Sequence, residues 1–420
     1  MQLSVFLVRN NSLQRRGRLG SPRILPRVSL IIGTAKNPFK SGLVLKTVNQ
    51  KLNADSAADT KHVGELHLMG SGDRTPKVSI ILVNWNGWRD SIQCLDSVFQ
   101  IAYPNYDVIL VDNDSDDESV EKISSYAAGT LVSNDFERRP DTAQVTGVRY
   151  SRSLAELGGD GKKEESLSKL PPNRRLRIIL NDKNYGYADA NNVAITYARK
   201  ALNPDYVLLL NNDTIVHKLF LNELVAAAEH DELIGMAGPK IYSYDVEGGR
   251  DVLCHTGGRI DMRKGLIIFL NERELDRGQY DPIGAFEYLT GACLLVRKEL
   301  LERVGLLRTD YFLYWEDVDW CFRARQVGYR LAYVPSAIIW HKTSAATSKI
   351  QRKKIYYWAR GLVYFIKRFA TMAQRVTFFV YFFSYGFWFI PRRYFNLGTM
   401  SELKEFYRGI ADGLFTRVPR

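Results

Sequence analysis

Apolar and polar positions alternate in blocks between residues 77 and 210 of this chain. Four short apolar runs, each bounded by polar or turn-forming residues, occupy 78–83, 106–111, 176–180 and 206–210. Continuous apolar runs of this length are typical of strands buried on both faces of a parallel sheet. Segments with helical spacing lie between them, as in 92–99. The pattern predicts an α/β fold with a doubly wound, mostly parallel sheet and right-handed crossovers.

The flanking segments are less regular. Residues 1–76 lack sustained periodicity and are predicted to form a poorly ordered basic extension, or to be sequence upstream of the true start. Residues 77–345 form the predicted domain. Glycines and charged residues within 128–175 indicate an inserted, exposed loop region. In the second half, 289–296 predicts a strand interrupted by Gly291.

Residues 346–420 are predicted to form a basic, aromatic, amphipathic helical tail. Lys353, Arg360, Lys367 and Arg375 follow one another at steps of seven, seven and eight, which places them in one stripe on a helix. The uninterrupted apolar run 376–390 is short for a bilayer span. We therefore expect a helix that lies on the cytoplasmic side of the cell membrane, as in a peripheral or monotopic protein. A tilted or re-entrant span and a hairpin packed on the domain are the alternatives.

Charge and cysteine content narrow the class of protein. The net charge is +12, yet residues 1–76 hold 12 Lys and Arg against 4 Asp and Glu, and 349–420 hold 14 against 3. The body of the chain is therefore acidic, which argues against a nucleic-acid partner and suits a membrane-surface tail. The four cysteines form no C-x-x-C pair, which excludes a zinc or disulfide framework and fits a reducing compartment.

Polar residues at the strand ends carry the candidate chemistry. Each predicted strand ends in Asn or Asp, and the fourth runs directly into Asn211, Asn212 and Asp213. Ligands of open α/β sheets bind outside the carboxyl ends of the strands. Burying an unpaired carboxylate is costly, so Asp213 is expected at an exposed strand tip or on a cation. An ordinary turn is the alternative, because Asn and Asp also favour turns.

Five stretches together resemble a known family. They are V-S-I-I-L-V-N-W-N at 78–86, V-D-N-D-S-D-D at 111–117, N-Y-G-Y-A-D-A-N-N at 184–192, L-N-N-D-T at 210–214 and Y-W-E-D-V-D-W-C-F-R at 314–323. In order and spacing they resemble the inverting family 2 glycosyltransferases, especially the bacterial and archaeal rhamnosyl- and galactofuranosyltransferase branch. The resemblance implies the GT-A fold and an acceptor-binding second half. It also implies sugar transfer from a nucleotide diphosphate donor to a glycan or lipid-linked acceptor, in cell-surface polysaccharide or glycoconjugate synthesis.

The resemblance also implies a metal site and a donor site. Asn211 and Asp213 match the family's D-x-D stretch, with an amide in place of the first carboxylate, and His341 matches a further ligand position in some relatives. A divalent ion, Mg or Mn, would neutralise charge on the departing diphosphate. The implied contacts with the nucleotide sugar fall on Asn84, Asp112, Asn184, Gly186, Asn191 and Asn212.

Asp317 matches the family's general base, with Glu316 beside it, and inversion needs one base to take the acceptor proton. Acidic residues also favour helix N-termini, but that does not account for the aromatic residues around them. Trp315, Tyr314 and Gly291 are the candidate acceptor contacts. Two rivals remain: a catalytically silent carbohydrate-binding or scaffold protein, and a sugar nucleotidyltransferase. The nucleotidyltransferase should carry a Gly-rich loop after the first strand, where this chain has residues 84–88, N-W-N-G-W.

Overall fold

The computed structural model of this chain describes residues 74–131, 145–244, 251–270, 273–280, 286–342, 351–395 and 400–417. They all belong to one compact unit, Leu66–Arg420. The predicted extension, apart from 74–76, lies outside the described residues.

A large sheet is the centre of the fold, and seven of its nine strands run in the same direction. Its strand order is β3-β4-β2-β1-β5-β11-β7-β12-β6, and a second sheet has the order β10-β8-β9. The strands are β1 Val78–Asn84, β2 Tyr106–Asp112, β3 Thr146–Ser151, β4 Arg175–Leu180, β5 Tyr206–Asn211, β6 Thr214–Val216, β7 Ile234–Ser243, β8 Gly257–Asp261, β9 Leu266–Phe269, β10 Tyr288–Leu289, β11 Cys293–Arg297 and β12 Arg330–His341. The predicted α/β fold with a mostly parallel sheet is confirmed.

Helices cover both faces of the large sheet. They are α1 Trp88–Val98, α2 Ser119–Ala127, α3 Arg152–Leu157, α4 Gly161–Ser168, α5 Gly186–Tyr197, α6 Phe220–His230, α7 Lys298–Val304, α8 Glu316–Gln326, α9 Gln351–Phe369, α10 Met372–Tyr381, α11 Phe387–Phe395 and α12 Met400–Phe415. Successive residues of one strand enter opposite cores: Ile80 and Leu82 pack with α1 and α6, whereas Ile81 packs with α5 and α8. Burial on both faces explains the continuous apolar runs.

The segment 128–175 is not simply an exposed loop, as its charge and glycine content suggested. In its described part, β3 pairs in parallel with β4 and forms one edge of the large sheet. Helices α3 and α4 follow, and each begins at a side-chain cap, Ser151 and Asp160 respectively. The correction has a physical cause, because β3 is an edge strand whose residues are mostly exposed and therefore lack an apolar run.

A buried ion cluster joins this edge to the sheet. Arg177 on β4 is 1% exposed and donates from Nη1 to Asp107 Oδ1 of β2 at 2.7 Å. Its Nη2 donates to Glu164 Oε2 of α4, also at 2.7 Å. Arg175 and Lys77 lie within 3.4 Å and 3.1 Å of the same aspartate. Burial alone would raise the pKa of Asp107, but these cations hold it below its ordinary value.

Helix α9 is part of the core, which corrects its assignment to a separate tail after residue 345. Leu362, Val363 and Phe365 are fully buried with residues of α5 and α8. Two residues of the cationic stripe predicted for this region form hydrogen bonds within the protein. Arg360 donates to the carbonyl oxygens of Asp310 and Tyr311, and Lys367 donates to those of Gly413, Leu414 and Thr416 at the end of α12. Arg360 and Lys367 of the stripe therefore hold neighbouring segments together, whereas Lys353 is exposed.

Helices α10 and α11 are continuous through a π-helical turn, Phe382–Gly386. They carry a row of exposed apolar side chains that includes Val380 at 65%, Phe383 at 62% and Trp388 at 58% exposure. Among the described residues, no helix combines the length and the apolar character needed to cross a bilayer.

Candidate active site

The polar ends of β1, β2 and β5 meet at one edge of the sheet. In the parallel register Asn84 pairs with Asp112, and Val83 pairs with Asn211. Four of the five motifs follow β1, β2, β4 and β5 and thus converge, because parallel strands present their carboxyl ends together.

Asp112 is held at this edge by a hydrogen-bond network. Its Oδ2 accepts from Asn84 Nδ2 and from Ser115 Oγ, both at 2.7 Å, and its Oδ1 accepts from the Ser115 amide. Asn84 is fully buried, and its Oδ1 accepts from Ser91 Oγ at 2.7 Å. The predicted direct donor contact of Asn84 is therefore corrected: both ends of its amide are engaged, and the residue positions Asp112 instead.

Asn212 belongs to the same network. Its Nδ2 donates to Ser91 Oγ at 2.8 Å, which links the end of β5 to helix α1. Gly87 lies close by, and a Cβ atom there would be 3.2 Å from Asn212 Nδ2. The predicted donor contact of Asn212 stays a prediction, with its side chain partly exposed at the sheet edge.

Asn184 and Gly186 shape the entrance to α5. Asn184 Oδ1 accepts from the Gly186 amide at 2.9 Å and from Asn113 Nδ2 at 3.0 Å. Gly186 has φ +82°, and a Cβ atom there would lie 2.5 Å from the carbonyl oxygen of Phe312. Only glycine fits this position. The donor contacts predicted for both residues stay predictions, and Asn113 is an organising residue that the motif analysis did not single out.

Asn191 is a correction. The side chain is 1% exposed, and its Nδ2 donates to the carbonyl oxygen of Tyr187, one turn earlier in α5, at 2.8 Å. The helix interior holds this amide, so it supports Tyr187 and is not placed to contact a nucleotide sugar.

Asp213 and His341 form the candidate metal pair. Asp213 Oδ1 lies 3.0 Å from His341 Nε2, and their side chains are 19% and 14% exposed. Burial disfavours a charged imidazole, but the Asp213 charge outweighs burial and raises the pKa of His341 to about 10. Strand β12 brings the pair together, because His341 is in register with Thr214 of β6.

The pair fits a metal whose other ligands come from the substrate. The 3.0 Å contact is a hydrogen bond between Asp213 and the protonated imidazole of His341. Two adjacent ligands bound at about 2.1 Å to one ion also lie about 3 Å apart, so an ion that replaces the imidazole proton could bind both side chains. Among the described residues, no three His, Cys, Asp or Glu side chains are grouped so that they could hold an ion alone. Magnesium and manganese are commonly held by one or two carboxylates together with substrate phosphates, and an imidazole ligand favours manganese.

Asn211 contacts Tyr187, and its predicted role as a metal ligand stays a prediction. Its side-chain amide lies 3.1 Å from the Tyr187 hydroxyl, which also donates to the carbonyl oxygen of Gly291 at 2.9 Å. The Gly291 amide in turn donates to Asp317 Oδ2 at 2.8 Å. A Cβ atom at 291 would be 3.3 Å from the Cβ of Asp317, so glycine allows this approach. The end of β5 and the start of α8 are therefore parts of one site.

The two acids at the start of α8 differ in their surroundings. Asp317 accepts from two backbone amides, those of Gly291 and Val318, both at 2.8 Å. Burial raises the pKa of Asp317, and these N–H groups act against that rise. Glu316 is 5% exposed, and its Oε2 has no hydrogen-bond partner among the described residues. Burial and the Asp317 charge raise its pKa well above its ordinary value. Asp317 is thus the ionised member of the pair.

The loop before α8 is strained. Phe312, Tyr314 and Trp315 all have positive φ angles, between +66° and +75°. Aromatic residues in the left-handed region cost free energy and occur mainly where the surroundings fix them, often at functional sites. Helix α9 supplies those surroundings, because Tyr357 stacks on Phe312 with ring centroids 4.5 Å apart.

Trp315 is a correction among the predicted acceptor contacts. It is 2% exposed, and its indole N–H donates to the carbonyl oxygen of Trp358 at 3.0 Å. Its ring packs against Phe365 at 5.2 Å. Trp315 therefore anchors α9 and cannot stack on a sugar. Tyr314 is only partly buried, and its role as an acceptor contact stays a prediction.

Two further residues border the site that the sequence analysis did not assign. Tyr187 lies within the quoted stretch 184–192, but its residue type does not distinguish it from an ordinary helix residue. Lys354, on the first turns of α9, is partly buried, and burial lowers its pKa to about 8 against the opposing charge of Asp213. Neither residue could be assigned from sequence, because each faces the site only through the packing of a distant segment.

Two family models match the chain. "Glycosyl transferase family 2" matches residues 79–154, and "Glycosyltransferase like family 2" matches residues 164–361. Together they extend from β1 through the first half of α9, leaving out only 155–163. All the candidate site residues, from Asn84 to Lys354, lie within the matched ranges.

Similar proteins include glycan-synthesis enzymes. The chain is 28% identical over 217 residues to the N-acetylglucosaminyl-diphospho-decaprenol L-rhamnosyltransferase of Mycobacterium tuberculosis, covering 47% of this chain and 67% of that protein. It is 26% identical over 151 residues to the low-salt glycan biosynthesis hexosyltransferase Agl10 of Haloferax volcanii, covering 36% and 47% respectively. The chain thus matches about half of that hexosyltransferase's length. A solved structure of GalNAc-T7 with UDP, GalNAc and Mn2+ is similar with a TM-score of 0.49 and 16% identity, covering 82% of this chain and 56% of that one.

Proposed function

Because the chain belongs to glycosyltransferase family 2, we propose that it is an inverting, metal-dependent enzyme that transfers a hexose-type sugar from a nucleotide diphosphate donor. One observation carries the proposal: Tyr187 connects Asn211, at the end of β5, through Gly291 to the ionised Asp317 carboxylate. A base and a candidate diphosphate-metal position are thus parts of one site.

The proposed reaction has one displacement step. Asp317 accepts the proton of an acceptor hydroxyl, whose oxygen forms a bond to the anomeric carbon from the face opposite the diphosphate. The bond between that carbon and the diphosphate oxygen breaks, and its electron pair leaves with the nucleoside diphosphate. The configuration at the anomeric carbon is inverted. Glu316, kept protonated by burial, leaves Asp317 as the only charged acid at this position.

Asp213 and His341 are the residues that would hold the divalent ion, which offsets the charge that develops on the diphosphate. Lys354 is the protein cation that we assign to the same diphosphate. The Lys354 side chain is partly buried, and its amine interacts electrostatically with Asp213. The amine could therefore contact a bound diphosphate from the side of α9. The acceptor is proposed to be a glycan or a lipid-linked saccharide.

Thermal unfolding with a panel of UDP, GDP and dTDP tests the donor side. One nucleoside diphosphate is expected to raise the melting temperature when Mn2+ is present, because a ligand at about 100 times its Kd stabilises by about 2.7 kcal/mol. Asp213→Asn should abolish the Mn2+-dependent part of the rise. A rise of equal size with and without Mn2+ would contradict the metal-dependent proposal.

Adjacent lysines provide a matched control for the diphosphate contact. Lys354→Met should weaken binding of the same nucleotide by about tenfold or more, through loss of a charge-assisted contact with phosphate. Lys353→Met removes the same charge from the next position, where the side chain is exposed, and should leave the affinity unchanged. Equal effects of the two substitutions would show only the loss of general positive charge.

Two other functions give different results with the same protein. A silent carbohydrate-binding or scaffold protein would neither transfer sugar nor hydrolyse a nucleotide sugar. A sugar nucleotidyltransferase would release pyrophosphate from a nucleoside triphosphate and a sugar phosphate. Release of a nucleoside diphosphate from a nucleotide sugar, dependent on Mn2+ and on Asp317, supports the transferase.

We also propose that α10 and α11 rest on the cytoplasmic face of the cell membrane, so that the protein is peripheral or monotopic. The exposed apolar row with Val380, Phe383 and Trp388 supports this. Arg392 lies beside it, with its guanidinium 5.9 Å from the Trp388 ring, and can meet anionic headgroups. Whereas Arg360 and Lys367 of α9 bond within the protein, these side chains of α10 and α11 are exposed and can contact a lipid surface.

Sedimentation with lipid vesicles measures this association. The full chain is expected to bind vesicles containing phosphatidylglycerol. Phe383→Asp should lower the partition coefficient by about tenfold or more, because a charge replaces an exposed ring that would enter the lipid. Leu157→Asp is the matched control, since Leu157 is 77% exposed on α3, away from this helix. Undiminished binding of the Phe383 variant would refute the proposed surface.

A further inference from the structure

The Tyr187 hydroxyl makes two contacts but has one hydrogen to donate. Its oxygen lies 2.9 Å from the carbonyl oxygen of Gly291 and 3.1 Å from the side-chain oxygen Oδ1 of Asn211, so two oxygens face one hydroxyl hydrogen. The Gly291 carbonyl can only accept a hydrogen bond, so it takes the hydroxyl hydrogen. The second contact is satisfied when the Asn211 amide is turned by half a rotation, so that its NH2 group takes the place of Oδ1 and donates to the hydroxyl oxygen. The two orientations of an Asn amide are chosen by such networks.

This orientation gives a directed chain of hydrogen bonds. With the amide turned in this way, Asn211 would donate to Tyr187. Tyr187 donates to the Gly291 carbonyl, and the Gly291 amide donates to Asp317. Burial raises the pKa of Tyr187 well above its ordinary value, and the Asp317 charge adds to that rise, so the hydroxyl stays protonated. Asn191 holds the Tyr187 backbone from the next turn of α5. The ring therefore has a fixed position between the two halves of the site.

We propose that Tyr187 is a positioning residue that fixes the Gly291 peptide, and through it the Asp317 carboxylate, by passing on a hydrogen bond from Asn211. The inference rests on the proposed transferase function and assigns a role to two residues of its site. It also gives a physical reason for the amide at 211. A carboxylate there could only accept, so it would compete with Gly291 for the single hydroxyl hydrogen and add negative charge near Asp317.

The first test compares two tyrosines of one motif. Tyr187→Phe is expected to lower kcat by about tenfold, because the base is less well positioned, with the KM for the donor changed less than about threefold. The acid limb of the pH profile of kcat/KM should move to higher pH, since Asp317 loses hydrogen bonding to its ionised form. Tyr185→Phe removes a hydroxyl that contacts Asp182 instead, and should change neither quantity. An unchanged kcat and acid limb in Tyr187→Phe would overturn the inference.

A second measurement is independent of turnover. Amide hydrogen exchange in the peptide that spans 288–293 should be faster in Tyr187→Phe than in the wild-type chain, and unchanged in Tyr185→Phe. Asn211→Asp should accelerate exchange in the same peptide, and adding Tyr187→Phe to it should change little, because the chain of hydrogen bonds is already broken. Additive effects of the two substitutions would refute the coupling. If the wild-type chain transfers no sugar, the proposed function fails, and the exchange data still decide the role of Tyr187.

Discussion

Asp317→Asn is expected to lower the rate constant for sugar transfer by about 10²–10⁴-fold, the usual contribution of a positioned general base. The amide keeps the shape of the side chain but cannot accept the acceptor proton. Single-turnover transfer with the donor identified by nucleotide binding measures the effect. Binding of the nucleoside diphosphate with Mn2+ should be retained, because Asp213 and His341 are untouched. Transfer at the wild-type rate would remove Asp317 from the role of base.

The wild-type rate should also fall as the pH is lowered. A base acts only when it is ionised, and burial raises the pKa of Asp317 above its ordinary value. Activity is therefore present above that pKa and lost as pH falls through it. The residual activity of Asp317→Asn should lack this acid limb.

The largest expected loss of stability follows Arg177→Met, which removes the centre of the buried ion cluster. Breaking a buried pair by removing one partner costs about 3–5 kcal/mol, because the remaining charges lose their compensation. The low end, about 3 kcal/mol, is expected here because Asp107 keeps Lys77 and Arg175 nearby. Denaturant unfolding of the two proteins measures the difference in the free energy of unfolding.

The pH dependence distinguishes charge from packing. The lowered pKa of Asp107 contributes stability that is present above the pKa of an unfolded aspartate and lost as pH falls through the folded value. The difference between wild type and Arg177→Met should therefore be full at neutral pH and shrink in acid. Lys169→Met, which removes an exposed pair with Glu165, should have little effect at any pH. A difference that is constant with pH would indicate lost packing instead.

The apolar runs predicted β1, β2, β4 and β5 because strands buried on both faces are mostly apolar along their length. Edge strands are partly exposed to solvent and do not need to be apolar along their length. β3 has mostly exposed residues, so its sequence resembles that of a loop, and only its register with β4 shows that it belongs to the sheet.

The sequence identified the motif residues, but it did not show which atoms each of their side chains contacts. Asp213 and His341 are 128 positions apart and come within 3.0 Å through the register of β12 with β6. Trp315, an aromatic residue beside two acids, was predicted to stack on the acceptor sugar. In the structure α9 covers it. Burial by a segment distant in sequence leaves no trace in the local pattern.

The sequence by itself determined the α/β class, the strand ends that carry polar residues, and the pair of acids at the start of α8. These features depend on local periodicity and on residue type, which can be read directly from the sequence. The tertiary structure alone decided that α9 belongs to the core and that its Arg360 and Lys367 bond to neighbouring segments. It also decided that Asn84 and Asn191 are supports, and that Tyr187 links Asn211 to Asp317 through Gly291. Those roles depend on which distant segments pack together, and one hydrogen bond or one covering helix changes what a side chain can do.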